Sequence, residues 1–260
     1  MSRSASGASE GAEGGAGPPA PRLLVRRDLS RRSVEPEWMD TLAISDADFA
    51  ACLADLDTVN RLTLAARPTL GFLARLTAGW PAGAELRLLD AGAGQGGMLR
   101  AIHRWAVRRG LSPRLVGVDL NPQAIAAARA ATPPAMGVTW ITADIFAAAP
   151  DPRPHVVTSA LFAHHLDDAG VVRFLRWMEG TASHGWFVND LHRHLLAHHG
   201  FALLAAAMRW HRFVRHDGPL SVARAFVPAD WRRLLAEAGI AGAKVSWHVP
   251  FRLCVGRVKP

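Results

Sequence analysis

From residue 85 onward the chain alternates short apolar runs with amphipathic stretches. Apolar runs at 85–90, 114–119, 138–141, 155–161 and 185–190 have the length and continuity of strands buried on both faces. Between them, Met98, Leu99, Ile102 and Trp105 follow helical spacing, as do Val171, Phe174, Leu175 and Met178. The segment 122–131 reads as a helix capped by Asn121 with Pro122 in its first turn, and Asp167 or Asp168 caps the helix carrying Val171. This alternation predicts a parallel sheet covered by helices on both faces. It stops after 190. The stretch 191–227 carries Leu195, Phe201, Met208, Trp210 and Phe213 among many His and Arg and predicts inserted helices; a helix at 228–239 and two strands, 244–249 and 252–258, pairing across Pro250, close the chain.

Ahead of the sheet, 35–80 reads as helical, with a start at Ser45 and Asp46, Phe49, Leu53, Leu56 and Val59 at helical spacing, and a second helix from Pro68. Residues 1–34 begin with a Gly-, Ala-, Ser- and Pro-rich stretch that lacks a signal-peptide apolar region and reads as a disordered tail. The expected division is a tail at 1–34, a helical lid at 35–80 and a main domain at 81–260, within which 191–227 covers the acceptor side.

The chemistry concentrates where the first strand ends. Asp90, Gly92, Gly94, Gly96 and Gly97 fit two patterns. Gly92, Gly94 and Gly97 make G-x-G-x-x-G, a dinucleotide turn with Asp119 at the spacing of a ribose-binding acid; Asp90, Gly92, Gly94 and Gly96 make D-x-G-x-G-x-G. Asp90 separates them. A carboxylate just before the turn would repel a pyrophosphate but suits a ligand carrying a sulfonium and an ammonium.

Composition narrows the picture further. The 260 residues carry a formal charge of +8, almost all of it from Arg, with Lys only at 244 and 259. The arginines are scattered apart from a group near the tail and a looser one at 193–224, so solvated surface is the first reading and nucleic acid is not the expected partner. Cys52 and Cys254 form no CxxC pair, and no apolar run reaches membrane-spanning length; a cytoplasmic location is the default expectation.

The glycine motif, with Asp119 in Val-Gly-Val-Asp-Leu-Asn and Asp144 in Thr-Ala-Asp-Ile, resembles the class I S-adenosylmethionine-dependent methyltransferases from about residue 85 to 258. The resemblance implies an α/β Rossmann-like fold, a mostly parallel seven-stranded sheet with an antiparallel closing hairpin. It implies S-adenosyl-L-methionine as the methyl donor, held by Asp90, Gly92, Gly94, Gln95, Gly96, Asp119, Leu120, Asp144, Ile145 and Ala160. In the family, the residue matching Asp119 bonds the ribose hydroxyls, the one matching Asp144 meets the adenine amino group, and the one matching Ile145 packs on the ring. Asn60 and Arg61 are candidates for the donor's carboxylate.

The stretches 189–194 and 217–226 resemble a bacterial group related to quinone-biosynthesis methyltransferases, which implies a small phenolic, quinone or polyketide-type acceptor. Ser159-Ala160-Leu161-Phe162 stands where nucleic-acid amino methyltransferases carry N-P-P-aromatic, and no Pro-Cys pair is present for cytosine attack. Asn189-Asp190 ends the fifth strand as part of a catechol-type magnesium site would. The acid expected after the fourth strand is missing, so no metal is expected. Eight of the twelve His follow the fourth or fifth strand, and His165, His192 and His194 fall closest to strand ends, as candidates for a general base. Two other readings stay open: an RNA methyltransferase, if the arginines of 193–224 converge on one groove, and a non-catalytic donor-binding protein.

Overall fold

The computed structural model describes residues 27–42, 44–148 and 151–260. Three helices come first: α1 (Trp38–Thr41), α2 (Asp46–Leu62) and α3 (Arg67–Leu76). Ser45 caps α2, its hydroxyl accepting from the amide of Asp48 at 3.1 Å. The α/β part then runs β1 (Glu85–Ala91), α4 (Gly97–Arg108), β2 (Ser112–Asp119), α5 (Pro122–Ala131), β3 (Thr139–Thr142), β4 (Val156–Ala160), α6 (Asp168–Thr181) and β5 (Gly185–Leu191). The inserted helices are α7 (Leu195–Ala207) and α8 (Arg212–Arg224), followed by α9 (Pro228–Ala238), β6 (Lys244–His248) and β7 (Arg252–Val258).

The seven strands form one sheet in the order β3-β2-β1-β4-β5-β7-β6. β7 pairs antiparallel with both β5 and β6, and the other pairings are parallel. This is the expected architecture, and each predicted strand and helix lies within a few residues of its place. The caps explain the precision: Asn121 accepts from the amide of Gln123, Asp167 from that of Gly170, and Gly239 ends α9 at φ 74°.

Two apolar cores lie on the two faces. One packs α6 and α9 on the sheet through Phe174, Leu175, Trp186, Trp231 and Leu234. The other packs α3, α4 and α5 through Phe72, Leu73, Leu99, Ile102 and Ile125. A third, smaller core joins α2 to the inserted helices through Cys52, Val59, Ala205, Trp210, Phe213 and Val214. Helices α1 and α2 and the 191–227 insertion thus pack on each other as one cap, while α3 packs on the sheet.

The expected tail at 1–34 lies largely outside the described residues, and its last part departs from the expectation. Ser33 donates its amide to the carbonyl of Ala223, and Arg32 bonds Asp168 at 2.7 Å and the carbonyl of Leu166 at 2.7 Å while lying 4.2 Å over the ring of Phe226. An arginine with that many fixed partners holds its segment down despite the polar composition. Among the described residues, no helix is long and apolar enough to cross a membrane.

Candidate active site

β1 lies between β2 and β4, and the connections leave it in opposite directions, which opens a crevice at the carboxyl ends of the strands. The glycine turn fills its near edge. Gly92, Gly94 and Gly96 have φ of 70°, 51° and 76°, a region in which a side chain is strained. Their surroundings differ. A Cβ on Gly92 would meet the Phe162 ring at 2.6 Å, and one on Gly96 would meet Trp140 at 2.2 Å, whereas nothing lies within 4 Å of that position on Gly94. Two of the glycines therefore admit neighbouring aromatics, and Gly94 leaves room for something outside the protein.

Carboxylates frame the turn. The Asp119 carboxylate accepts from the amides of Gly94 at 2.8 Å and Asn121 at 2.9 Å, tying the end of β2 to the turn. Asp90 is 1% exposed and accepts a bond from the Thr158 hydroxyl at 2.7 Å. Burial pushes its pKa up to about 7, against the Thr158 bond, with the Asp119 charge adding to the rise. Leu120, just after β2, is a large apolar side chain left 72% exposed. Asp144 is exposed and accepts from the amide of Phe146 at 3.0 Å, while Ile145 is turned into the core. Ala160, the last residue of β4, pairs with Asn189. Leu161, next along, sits at φ 57°, a strained conformation for a bulky residue at a strand end.

The cap reaches this edge through α2. Gln95 donates its side-chain amide to the carbonyl of Leu53 at 2.9 Å, and Gln123 donates to Asp46 at 2.9 Å. Asn60 shares the helix face of Leu53 and Asp57, and its side-chain oxygen is buried without a partner among the described residues. Arg61 is exposed and bonds Thr58. On its other side α2 holds the insertion, since Asp55 accepts the amide of His211 at 2.6 Å and Asp48 lies 3.1 Å from His211 Nε2.

The three candidate histidines fall in two places. His165 follows β4; its Nδ1 is 2.9 Å from Asp40 and its Nε2 3.9 Å from Glu37. His192 and His194 follow β5, with ring centroids 5.5 Å apart, and His194 stacks on Phe251. His194 Nδ1 accepts the amide of Leu196 and so caps α7. His192 Nδ1 is buried without a partner among the described residues, and burial, then the nearby His194 and Arg193, holds its pKa below the usual range.

Glu37, Asp40, Asp190 and Arg224 surround His164 and His165 after β4; of these four only Asp190, at the end of β5, carried a local sequence signal. The buried Asp190 takes Nδ1 of His164 at 2.7 Å, and Arg224 donates to the carbonyls of His164 and His165. Arg252, buried in β7, keeps one guanidinium nitrogen without a partner. The arginines of 193–224 include inward-facing ones: Arg193 bonds the carbonyls of Leu29 and Ala225 and pairs with Asp230 at 2.9 Å, as Arg224 bonds carbonyls.

Residues 88–185 match a protein family described as "Methyltransferase domain". No curated protein matches the sequence. Among solved structures, the plantazolicin methyltransferase BpumL, in complex with a monoazolic desmethylPZN analog and SAH, superposes with a TM-score of 0.62 at 14% identity, covering 85% of this chain and 92% of that one. Magnesium protoporphyrin IX methyltransferase (ChlM) from Synechocystis PCC 6803, with bound SAM, gives a TM-score of 0.50 at 13% identity over 85% of this chain and 100% of that one. These likenesses establish the fold.

Proposed function

We propose that this chain is an S-adenosylmethionine-dependent methyltransferase and that it methylates a small, largely apolar acceptor, at oxygen, of phenolic, quinone or polyketide type. The observation that carries the donor half is the glycine turn: a positive-φ glycine facing open space, between a buried carboxylate and an exposed apolar side chain. In this reading Gly92, Gly94, Gln95 and Gly96 lie along the donor, Asp119 takes the ribose hydroxyls and Leu120 one face of the adenine. Asp144 lies at the adenine edge, and Ala160 borders the methionine end. Ile145 supports the ring from beneath.

Asp90 and the unpartnered oxygen of Asn60 suit the donor's ammonium, because both are acceptors with burial to strengthen the bond. Asn60 thus fits the amine better than the carboxylate expected from the sequence. S-adenosylmethionine, when bound, supplies an electrophilic methyl carbon attached to a sulfonium sulfur. The chain's own task is then to align an acceptor oxygen with that carbon, to exclude water and to take a proton. The joined cap of α2, α7 and α8 excludes water.

His192 is the base we favour of the three candidates. Its ring stays neutral and its Nδ1 is unpartnered, while His194 is engaged as a helix cap and His165 in a carboxylate cluster. Support for a small acceptor over RNA comes from Arg193 and Arg224, which are used up inside the protein. The test has two stages. Calorimetric titration should detect S-adenosylmethionine and not NADH; binding of NADH alone overturns the donor. Labelled donor incubated with phenolic and quinone compounds should then yield methylated products by mass detection, and His192→Ala should abolish turnover at unchanged donor affinity. Donor binding with no turnover of any acceptor would favour a non-catalytic donor-binding protein.

A further inference from the structure

We propose that Glu37, His164 and His165 form a site for a divalent transition-metal cation of the zinc class, joining the N-terminal segment to the turn after β4. His164 Nε2 lies 3.7 Å from one Glu37 oxygen and His165 Nε2 lies 3.9 Å from the other. The three ligand atoms all fall within 4.8 Å of one another. These gaps are too long for hydrogen bonds, which would close to about 2.8 Å. Ligands bound to one ion at about 2.0–2.1 Å with tetrahedral angles stand roughly 3.3–3.4 Å apart. The two Glu37–histidine gaps, each to a different carboxylate oxygen, exceed that by only a few tenths of an ångström.

The supporting groups point the same way. Both imidazoles have Nδ1 against a carboxylate, His164 with Asp190 at 2.7 Å and His165 with Asp40 at 2.9 Å. A carboxylate behind each ring anchors Nδ1 and turns Nε2 toward Glu37, the outer arrangement typical of metal-binding histidines. Glu37 is itself oriented, since the Ser221 hydroxyl donates to Oε1 at 2.8 Å and the Arg224 guanidinium lies 3.9 Å from the same atom.

Charge completes the argument. The carboxylates of Glu37, Asp40 and Asp190 outnumber the guanidiniums of Arg224, beside Glu37, and of buried Arg252, which faces Asp190, so the cluster is net negative and suits a cation. Glu37 and His164 are buried, and His165 is open on one side, which provides an entry path and a fourth position for water. Two imidazoles and a carboxylate favour zinc or cobalt over magnesium or calcium, which take oxygen ligands. No sequence spacing links these three ligands, because Glu37 lies 127 positions before His164.

The site stands independently of the acceptor. Full-length protein stripped with a chelator is titrated with zinc chloride, and with cobalt chloride followed by visible spectroscopy. One ion per chain is expected, with cobalt bands of a four-coordinate nitrogen–oxygen site, and zinc should raise the Tm. Glu37→Gln keeps the Ser221 bond and the side-chain shape, and should lower affinity by on the order of 100-fold. His165→Ala, at a partly open position, should do the same. His199→Ala is the control and should bind as the unmodified chain does. Absence of saturable binding, or equal affinity in Glu37→Gln and His165→Ala proteins that melt normally, would overturn the site.

Discussion

The carboxylate of Asp119 accepts the backbone amide of Gly94 at 2.8 Å, across 25 residues of sequence. One side chain at the end of β2 thereby holds the turn at the end of β1, and the same carboxylate is the group proposed for the donor's ribose. Asp119→Ala should weaken S-adenosylmethionine binding by about 100-fold, roughly 3 kcal/mol, the scale of a lost charged hydrogen-bonding group. Asp119→Asn keeps an acceptor for Gly94 and should fall between. Calorimetry reads both, and unchanged affinity in the alanine variant would remove Asp119 from the ribose.

The glycines of the turn separate folding from binding. Gly96→Ala drives a methyl group into Trp140, a rigid ring in a packed core, and should lower stability by about 1–3 kcal/mol or more. Gly94→Ala meets no protein atom, so its stability cost should be only the strain of its positive φ, about 1 kcal/mol. Donor affinity should nevertheless drop sharply, because the methyl occupies ligand space. Denaturant melts and titrations on the two variants should rank them in opposite orders; a Gly94→Ala protein that binds normally would place the donor elsewhere.

Asp90 makes donor binding pH-dependent. Its pKa is raised to about 7 from the unfolded value of about 3.9, so the folded chain holds a proton that the unfolded chain has lost. Its contribution to stability is complete below about pH 4 and declines as pH rises to about 7, by at most about 4 kcal/mol. Relative to Asp90→Asn, the unmodified protein should lose stability over that window in urea melts. An ammonium bound beside Asp90 favours the ionised form, so binding near pH 6.5 should release a proton. Calorimetry in buffers of different ionisation enthalpy detects that release, and a buffer-independent enthalpy would count against Asp90 as the ammonium's partner.

His198 is buried, and neither ring nitrogen has a partner among the described residues. Burial, then His199 and Arg27, lowers its pKa to about 4. The unfolded chain therefore takes up a proton below about pH 6.5 that the folded chain refuses, and stability falls as pH drops from about 6.5 to 4. His198→Leu removes both the unpaired nitrogens and this acid limb. It should raise Tm at neutral pH by a few degrees and flatten the acid side of the stability profile. A lower Tm would mean that the ring has partners in solution.

Much of this molecule is written locally. The strands read from apolar runs and the helices from spacing and caps, because Ser45, Asn121, Asp167 and Gly239 act on backbone groups within a few residues. The glycine turn was legible for the same reason, since a positive φ is a property of one residue. Tertiary structure alone decided which glycine of the turn is left open and which meets a neighbour's ring, as Phe162 arrives from the turn after β4 and Trp140 from β3. It also joined lid and insertion into one cap, and it brought Glu37 and Asp190 to the histidines after β4. Those contacts depend on how helices pack over a sheet, and no periodicity or spacing encodes a distance between residues so far apart in the chain.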